Sequence, residues 1–366
     1  MSVIGTVAVC IPTYRRPQLL ARLVRDLVQQ TVKPDVLIVV DGDPSSREVE
    51  SLIEDLTSGL LWRTAYVPSN HANLAYQRYL GWLAAKREKV QVLLYLDDDL
   101  RIVQPDAVEK VLLPLVRGQG VVGVTAQIEL GSPEGKLGHA PTLLDRERQA
   151  GRLLSVVVRW FGSRVPPGEL TPSGNRRLPE VPAGSAYAPV RWLRGGVMAF
   201  RMDALTEECF SPNLFALTHV GCGKGEDSLI SRRVASKGRM LMACNATFLH
   251  PHEALPCAYP LEPFWLAHAI AYSRRLINDD YRYPGRPTVR DRLALVRTYL
   301  GNILICFGRA LAKPARCRFA YAVGYLAGAA RGLVSPPRAE RLTPNIDWRK
   351  EAERALERAV RLGEHR

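Results

Sequence analysis

The sequence predicts an α/β protein: a Rossmann-like, mixed but mostly parallel sheet with flanking helices, followed by a helical C-terminal extension. Three observations predict it. Short β-branched runs alternate with longer amphipathic stretches through the first third of the chain, as in βαβ units. An irregular, Pro- and Gly-punctuated stretch from 131 to 190 divides that region from a second ordered one beginning at Trp192. Beyond Pro263 helical patterning takes over.

The individual elements follow from the local residues. Val7 to Ile11, Val36 to Val40, Val90 to Leu96 and Gly120 to Ile128 read as strands. Leu19, Leu20, Leu23, Val24, Leu27 and Val28 recur at helical spacing, with Pro17 as an early helical residue. The 131–190 stretch is too long for an ordinary connection, and such loops are disordered or functional. At Trp192, "WLRGGVMAFRMDAL" predicts a strand entering a turn and a helix. "GKGEDSLISRRVASKG" predicts a helix with acidic residues at its N-terminus and Gly238 as its stop. "MLMACNATFLHPH" reads as another strand, ending in histidines. Two apolar clusters, Tyr299 to Phe307 and Phe319 to Leu333, flank the basic Lys313, Arg316 and Arg318.

Composition narrows the class. With 366 residues, 47% hydrophobic and 23% charged, the chain is long and apolar enough for one large core or two modest ones. Its seven cysteines form an odd set without a C-x-x-C pair, which suggests reduced thiols rather than a zinc cluster or a disulfide framework. The first apolar run is too brief for a signal peptide, and no uninterrupted apolar segment reaches the roughly 18–20 residues of a spanning helix. A cytoplasmic protein that does not cross a bilayer is the expectation. The net charge is +14, and 20 Lys or Arg against 9 Asp or Glu lie from Phe264 onward, so an anionic partner for that tail is plausible.

The sharpest chemical feature is Asp97-Asp98-Asp99 after the apolar strand "LLYL". Strand side chains alternate, so Asp97 and Asp99 project to one side, where a divalent cation neutralises them and bridges to a diphosphate. An idle, solvated acidic loop would also produce D-x-D; the surrounding motifs decide between the two. "VCIPTYRRPQLLARLVRDLVQQ", "VLIVVDGD" and "LLYLDDDL" occur in the order, and at about the spacing, of family 2 glycosyltransferases, which the chain resembles. "RGGVMAF" is similar to that family's acceptor-side glycine motif and "GEDSLISRRVASKG" to its E-D motif, so the resemblance covers roughly residues 5 to 252.

The resemblance implies a GT-A fold and transfer of a sugar, with inversion, from a nucleotide-sugar donor to an acceptor hydroxyl. Residues 1–262 would form the catalytic domain, with a nucleotide-binding half (1–128) and an acceptor half (129–262), and 263–366 a basic helical region. The base would lie near Pro12, Thr13, Tyr14 and Asp41. Asp97, with Asp98 beside it, would contact ribose or metal, and Asp99 would be the main protein ligand of Mn²⁺ or Mg²⁺. Arg78, followed by Gly81, is similar to the family's R-N-x-G, though Tyr79 replaces the Asn; its guanidinium would pair with a phosphate. Gly195 and Gly196 would leave room for donor sugar and acceptor. A single displacement needs a base opposite the metal; Asp227 is the family's candidate, with Glu226 to orient the acceptor or substitute for it. His250, or His252 in its place, would complete the coordination, which suits manganese. UDP-sugars are the donor favoured by the resemblance. The acceptor would be a saccharide or a lipid-linked one, with the basic tail resting peripherally on an anionic membrane or simply solvated.

Two other readings fit less well. A sugar-phosphate nucleotidyltransferase would carry a glycine-rich loop where this chain has "IPTYRRP". A basic nucleic-acid-binding protein would leave Asp97 to Asp99 and Glu226-Asp227 unexplained, so no nucleic-acid partner is expected.

Overall fold

In the computed structural model, residues 5–131, 137–138, 160–161, 165–181, 183–221, 225–251 and 262–362 are described. The strands are β1 (Val7–Thr13), β2 (Val36–Asp41), β3 (Arg63–Pro68), β4 (Val92–Leu96), β5 (Arg101–Ile102), β6 (Val121–Gly131), β7 (Leu137–Gly138), β8 (Tyr187–Val190), β9 (Val197–Arg201), β10 (Arg239–Pro251) and β11 (Val360–Leu362). They join in one sheet of order β11-β3-β2-β1-β4-β9-β6-β10-β5, with β7 beside β6 and β8 beside β10. β1 to β4 run parallel; β9 is antiparallel to both β4 and β6. The predicted α/β architecture is therefore present, and antiparallel strands, β9 among them at the centre, make the sheet mixed.

The central strands are buried along their whole length, as continuous apolar runs require when helices cover both faces. On one face lie α1 (Pro17–Val28), α2 (Glu48–Thr57) and α4 (Ala107–Arg117), which seal one apolar cluster with Leu20, Leu23, Ile53 and Val111. On the other lie α3 (Leu74–Arg87), α5 (Pro212–His219) and α6 (Glu226–Val234), sharing a cluster that includes Tyr76, Leu80, Phe215 and Ile230. The segment after Trp192 departs from expectation. It begins with turns, forms β9 and then makes further turns, with only a three-residue helical turn at Glu207–Cys209 before Pro212. The amides of Ala204 and Leu205 both donate to the Arg201 carbonyl, which closes a turn where a helix was expected.

The C-terminal part is helical as predicted: α7 (Pro263–Asp280), α8 (Val289–Ala312), α9 (Arg316–Val334), α10 (Ala339–Leu342) and α11 (Trp348–Glu357). It also returns to the sheet, because β11 pairs antiparallel with β3 and Trp348 packs on Tyr76 and Phe215. α8 is long and apolar enough to cross a membrane by length and composition alone, although Arg297 and Arg309 interrupt its apolar run; 28% of its most apolar window is buried.

α7 and α9 approach closely because α9 presents glycines. A Cβ at Gly328 would lie 2.2 Å from the His268 carbonyl oxygen, and one at Gly324 2.1 Å from that of Phe264. Backbone cannot yield as a flexible side chain does, so Gly328→Leu should destabilise the protein by about 3 kcal/mol, at the upper end for overpacking. Urea unfolding would measure this; an unchanged midpoint would mean the helices do not pack at that separation.

Candidate active site

The carboxyl ends of β1, β2 and β4 converge on one edge of the sheet, where open α/β sheets bind their ligands. Thr13 ends β1 opposite Asp41 at the end of β2. The turn after β4 carries Asp97, Asp98 and Asp99, and is tied to the RGG segment by the Asp97 amide, which donates to the Gly196 carbonyl at 3.1 Å.

The three aspartates do different things. Asp98 is buried; it accepts from the Thr13 hydroxyl at 2.8 Å and pairs with Arg16 at 3.3 Å. Burial pushes its carboxyl up to about 7, against the pull of Arg16 and Thr13. It thus fastens the turn to β1. Asp99 sits 3.2 Å from Arg16 and 3.4 Å from the His250 Nε2. Burial pushes Asp99 up, but the bond to His250, its charge and Arg16 outweigh this and hold the carboxyl below its ordinary value. Asp97 pairs with Arg78 at 2.8 Å while staying close enough to Asp99 to feel its charge.

The donor set fits a divalent cation in one specific respect. Asp99 Oδ1 is buried with no hydrogen-bond partner, an arrangement that costs free energy unless something satisfies the oxygen. His250, near the end of β10, lies beside it, and imidazole with carboxylate suits manganese. Among the described residues no three acidic, His or Cys side chains are gathered closely enough to hold an ion unaided. A bound ion would need further oxygens from its ligand. His252, the alternative to His250, lies outside the described residues.

A second cluster faces the first across the RGG segment. Arg78, on α3, is fully buried; it pairs with Glu226 and Asp97 and donates to the Gly195 carbonyl at 2.9 Å. Gly225, at φ 108°, turns the chain into α6 and sets Glu226 and Asp227 on its first turn. Asp227 accepts from the Gly195 amide at 2.8 Å, from the Ser228 amide at 2.6 Å and from Arg176. Burial raises its carboxyl, yet Arg176, Arg78 and those donors prevail and lower it. Glu226 shifts the opposite way: burial and the charge of Asp227 raise it despite Arg78. A Cβ at Gly195 would stand 2.9 Å from Asp227 Oδ2 and at Gly196 2.9 Å from Ile128, so neither position has room for a side chain.

Most residues singled out from the sequence therefore meet at this edge. Pro12 is buried under it and Tyr14 is half-buried beside it. Asp41 lies lower than expected: it is wholly buried, accepting from the Tyr66 hydroxyl and the Asp43 amide, both at 2.9 Å. Arg78 touches carboxylates rather than standing free for a phosphate. Sequence reasoning missed Arg16, Tyr66 and Arg176. Arg16 stood in plain view, directly before Pro17 in "TYRRPQ". Arg176 comes from the irregular stretch, in a turn clamped by the C-terminal helices: Ser173 bonds Thr298 at 2.7 Å, and Arg274 donates to the Ser173 carbonyl at 2.8 Å.

A parallel first half of the sheet, an antiparallel β9 and an acidic turn at the end of β4 make up a GT-A fold, the fold also seen in the solved structures this chain resembles. Residues 8–165 match the model of glycosyl transferase family 2. The chain is 24% identical over 269 residues to the O-antigen biosynthesis protein RfbC of Myxococcus xanthus, a match spanning 72% of this chain and 19% of that protein. Among solved structures it resembles GalNAc-T7 with UDP, GalNAc and Mn²⁺, with a TM-score of 0.51, 14% identity and coverage of 85% of this chain and 58% of that one. It also resembles the mannosyltransferase PcManGT from Pyrobaculum calidifontis in complex with GDP-Man and Mn²⁺, with a TM-score of 0.48, 15% identity and coverage of 91% and 88%.

Proposed function

We propose that this protein transfers a sugar, with inversion, from a nucleotide-sugar donor, UDP-linked by preference, to a hydroxyl of a saccharide or lipid-linked acceptor in polysaccharide synthesis. The observation that carries the reading is the pairing of Asp99, with its unsatisfied buried oxygen, and His250 at the strand ends where a diphosphate would lie. Asp99 and His250, with Asp97 close by, would hold Mn²⁺ or Mg²⁺, which when bound neutralises negative charge on the departing nucleoside diphosphate. Residues 1–128 hold the nucleotide, with Pro12, Thr13, Tyr14 and Asp41 around the base; 129–262 face the acceptor; 263–366 support both. The kinship of part of the chain to RfbC supports a polysaccharide product.

The residues of the second cluster supply the proton chemistry. Asp227, kept ionised by its donors, accepts the proton of the acceptor hydroxyl, which takes the place of Arg176, a donor whose side chain is 31% exposed. Glu226, held by Arg78, orients the acceptor. Gly195 and Gly196 let sugar and acceptor pass close to the backbone. The experiment is a donor panel: thermal unfolding with UDP-, GDP- and dTDP-sugars should rise for at least one donor only when Mn²⁺ is present, because ligands of the native state stabilise it. No shift with any of them would reject the nucleotide-sugar reading.

The place of action follows from the C-terminal helices. Leu300, Leu304 and Leu311 on α8 and Val323, Leu326 and Leu333 on α9 are exposed, beside the exposed Arg309, Lys313, Arg316 and Arg318. This is the composition of a surface that rests on anionic lipid at the cytoplasmic face of a membrane. At low salt the protein should sediment with vesicles containing phosphatidylserine and much less with neutral ones, and raising the salt should release much of it. Equal recovery in the supernatant with both vesicle types would leave the soluble acceptor.

A further inference from the structure

The end of α6 away from Glu226 and Asp227 opens on a second cavity of about 470 Å³. Its cations come from three separate segments: Arg191 after β8, Arg232, Arg233 and Lys237 at the close of α6, and Arg282 and Arg286 after α7. Against six cations the lining holds one carboxylate, Glu208. Three of the cations are matched from outside it, Arg191 by Glu169 at 3.5 Å, Arg282 by Asp291 at 2.5 Å and Arg233 by Asp280. Arg232, Lys237 and Arg286 make no ion pair among the described residues, which leaves a surplus of two positive charges even after Glu208 is counted. The carbonyls at the end of α6 account for a basic residue or two in its last turn. They do not account for cations converging from the other two segments.

Arg232 shows the imbalance most clearly. Its guanidinium lies over the Tyr281 ring at 3.7 Å, and its Nε donates to the Tyr281 carbonyl at 2.9 Å, so the group is fixed in place, and among the described residues its remaining N–H groups have no hydrogen-bond acceptor. Arg233 is likewise stacked, over Tyr283 at 4.5 Å. Burial lowers the Arg232 pKa, and the neighbouring Arg282 and Arg191 add to that against the opposite pull of Tyr281 and Glu169, so a bound anion would favour the charged guanidinium. Guanidinium forks held in advance match phosphoryl oxygens and lose little freedom on binding.

We propose that this cavity is an anion site for a phosphoryl group, a phosphate monoester or diphosphate, separate from the crevice at the strand ends. The site stands on its own residues and does not depend on the proposed transfer reaction.

Calorimetric titration of the full chain with pyrophosphate, in chelator and about 150 mM salt, tests it. Wild type should show one saturable event. Arg232→Gln should weaken it at least about tenfold, the loss of a charge-assisted contact, with Arg232→Lys in between. Arg286→Gln, at an exposed position, serves as a second variant should Arg232→Gln fold poorly in a thermal scan. The absence of a saturable event, an affinity unchanged in both variants, or loss of the event in Arg16→Gln instead would overturn the proposal, the last by placing the ligand in the other crevice. Vesicles containing phosphatidic acid separate the sources. Retention that requires Arg232 indicates a lipid headgroup, whereas retention indifferent to Arg232 alongside Arg232-dependent pyrophosphate binding indicates a soluble phosphate.

Discussion

Asp227→Asn should bind nucleotide sugar as wild type does and lose transfer by on the order of 10² to 10⁴-fold, the usual contribution of a positioned base. The amide keeps the size of the carboxylate but cannot take the proton. Its neighbours make the comparison informative: Glu226 lies beside it with its carboxyl raised, while that of Asp227 is lowered. A base acts only when deprotonated. If Asp227 is the base, activity should persist as pH falls through neutrality and fail only below the ordinary carboxylate range. If Glu226 is the base, activity should already decline as pH falls through that residue's raised pKa. Glu226→Gln should accordingly cost less than Asp227→Asn. The reverse ranking would pass the role to Glu226, and two active variants would leave the acidic pair as partners of the α6 dipole alone.

The second large effect is at Asp99. Asp99→Ala removes the carboxylate that faces both His250 and Arg16, and with it the principal proposed ligand. Metal-dependent donor affinity should fall on the order of 100-fold or more, since loss of groups that merely support a ligand already costs 10–100-fold in metal affinity. The fold should survive, because Asp98 rather than Asp99 fastens the turn to β1. Calorimetry with wild type and variant, each with and without Mn²⁺, would show whether the two share one metal-independent baseline. A variant that still responds to metal as wild type does would remove Asp99 from the coordination.

How far these residues were legible depends on whether their structure is local. β1, β2 and β4 announce themselves because a strand buried on both faces is an unbroken apolar run. α1 is legible because one side of it meets water. α3 is not, since Ala75 to Trp82 are buried all round and the helical period has no polar face to alternate with. The short strands β5, β8 and β11 carry too few residues for a pattern; neighbours in space define them.

The site divides in the same way. Asp97 to Asp99, the two glycines and Glu226-Asp227 are contiguous words in the sequence, and their chemistry can be read in place. The bonds that give them distinct roles are remote: Arg16 reaches Asp99 across 83 residues, and Arg176 reaches Asp227 across 51. Nothing in "TPSGNRRLP" reveals that Arg176 caps a carboxylate, because α7 and α8 fix that turn. Asp41 illustrates the converse, since the position is at the strand end as read, but the Tyr66 hydroxyl that occupies its carboxylate lies on the next strand.

The central claim is a metal-assisted use of a nucleotide sugar at the ends of β1, β4 and β10. Release of nucleoside diphosphate from a panel of UDP-, GDP- and dTDP-sugars, followed with Mn²⁺ and again with excess chelator, tests it most directly. The account predicts release from at least one donor that collapses when the metal is withdrawn and is lost in Asp99→Ala. Release that proceeds equally in chelator, or none from any donor with metal present, would contradict it.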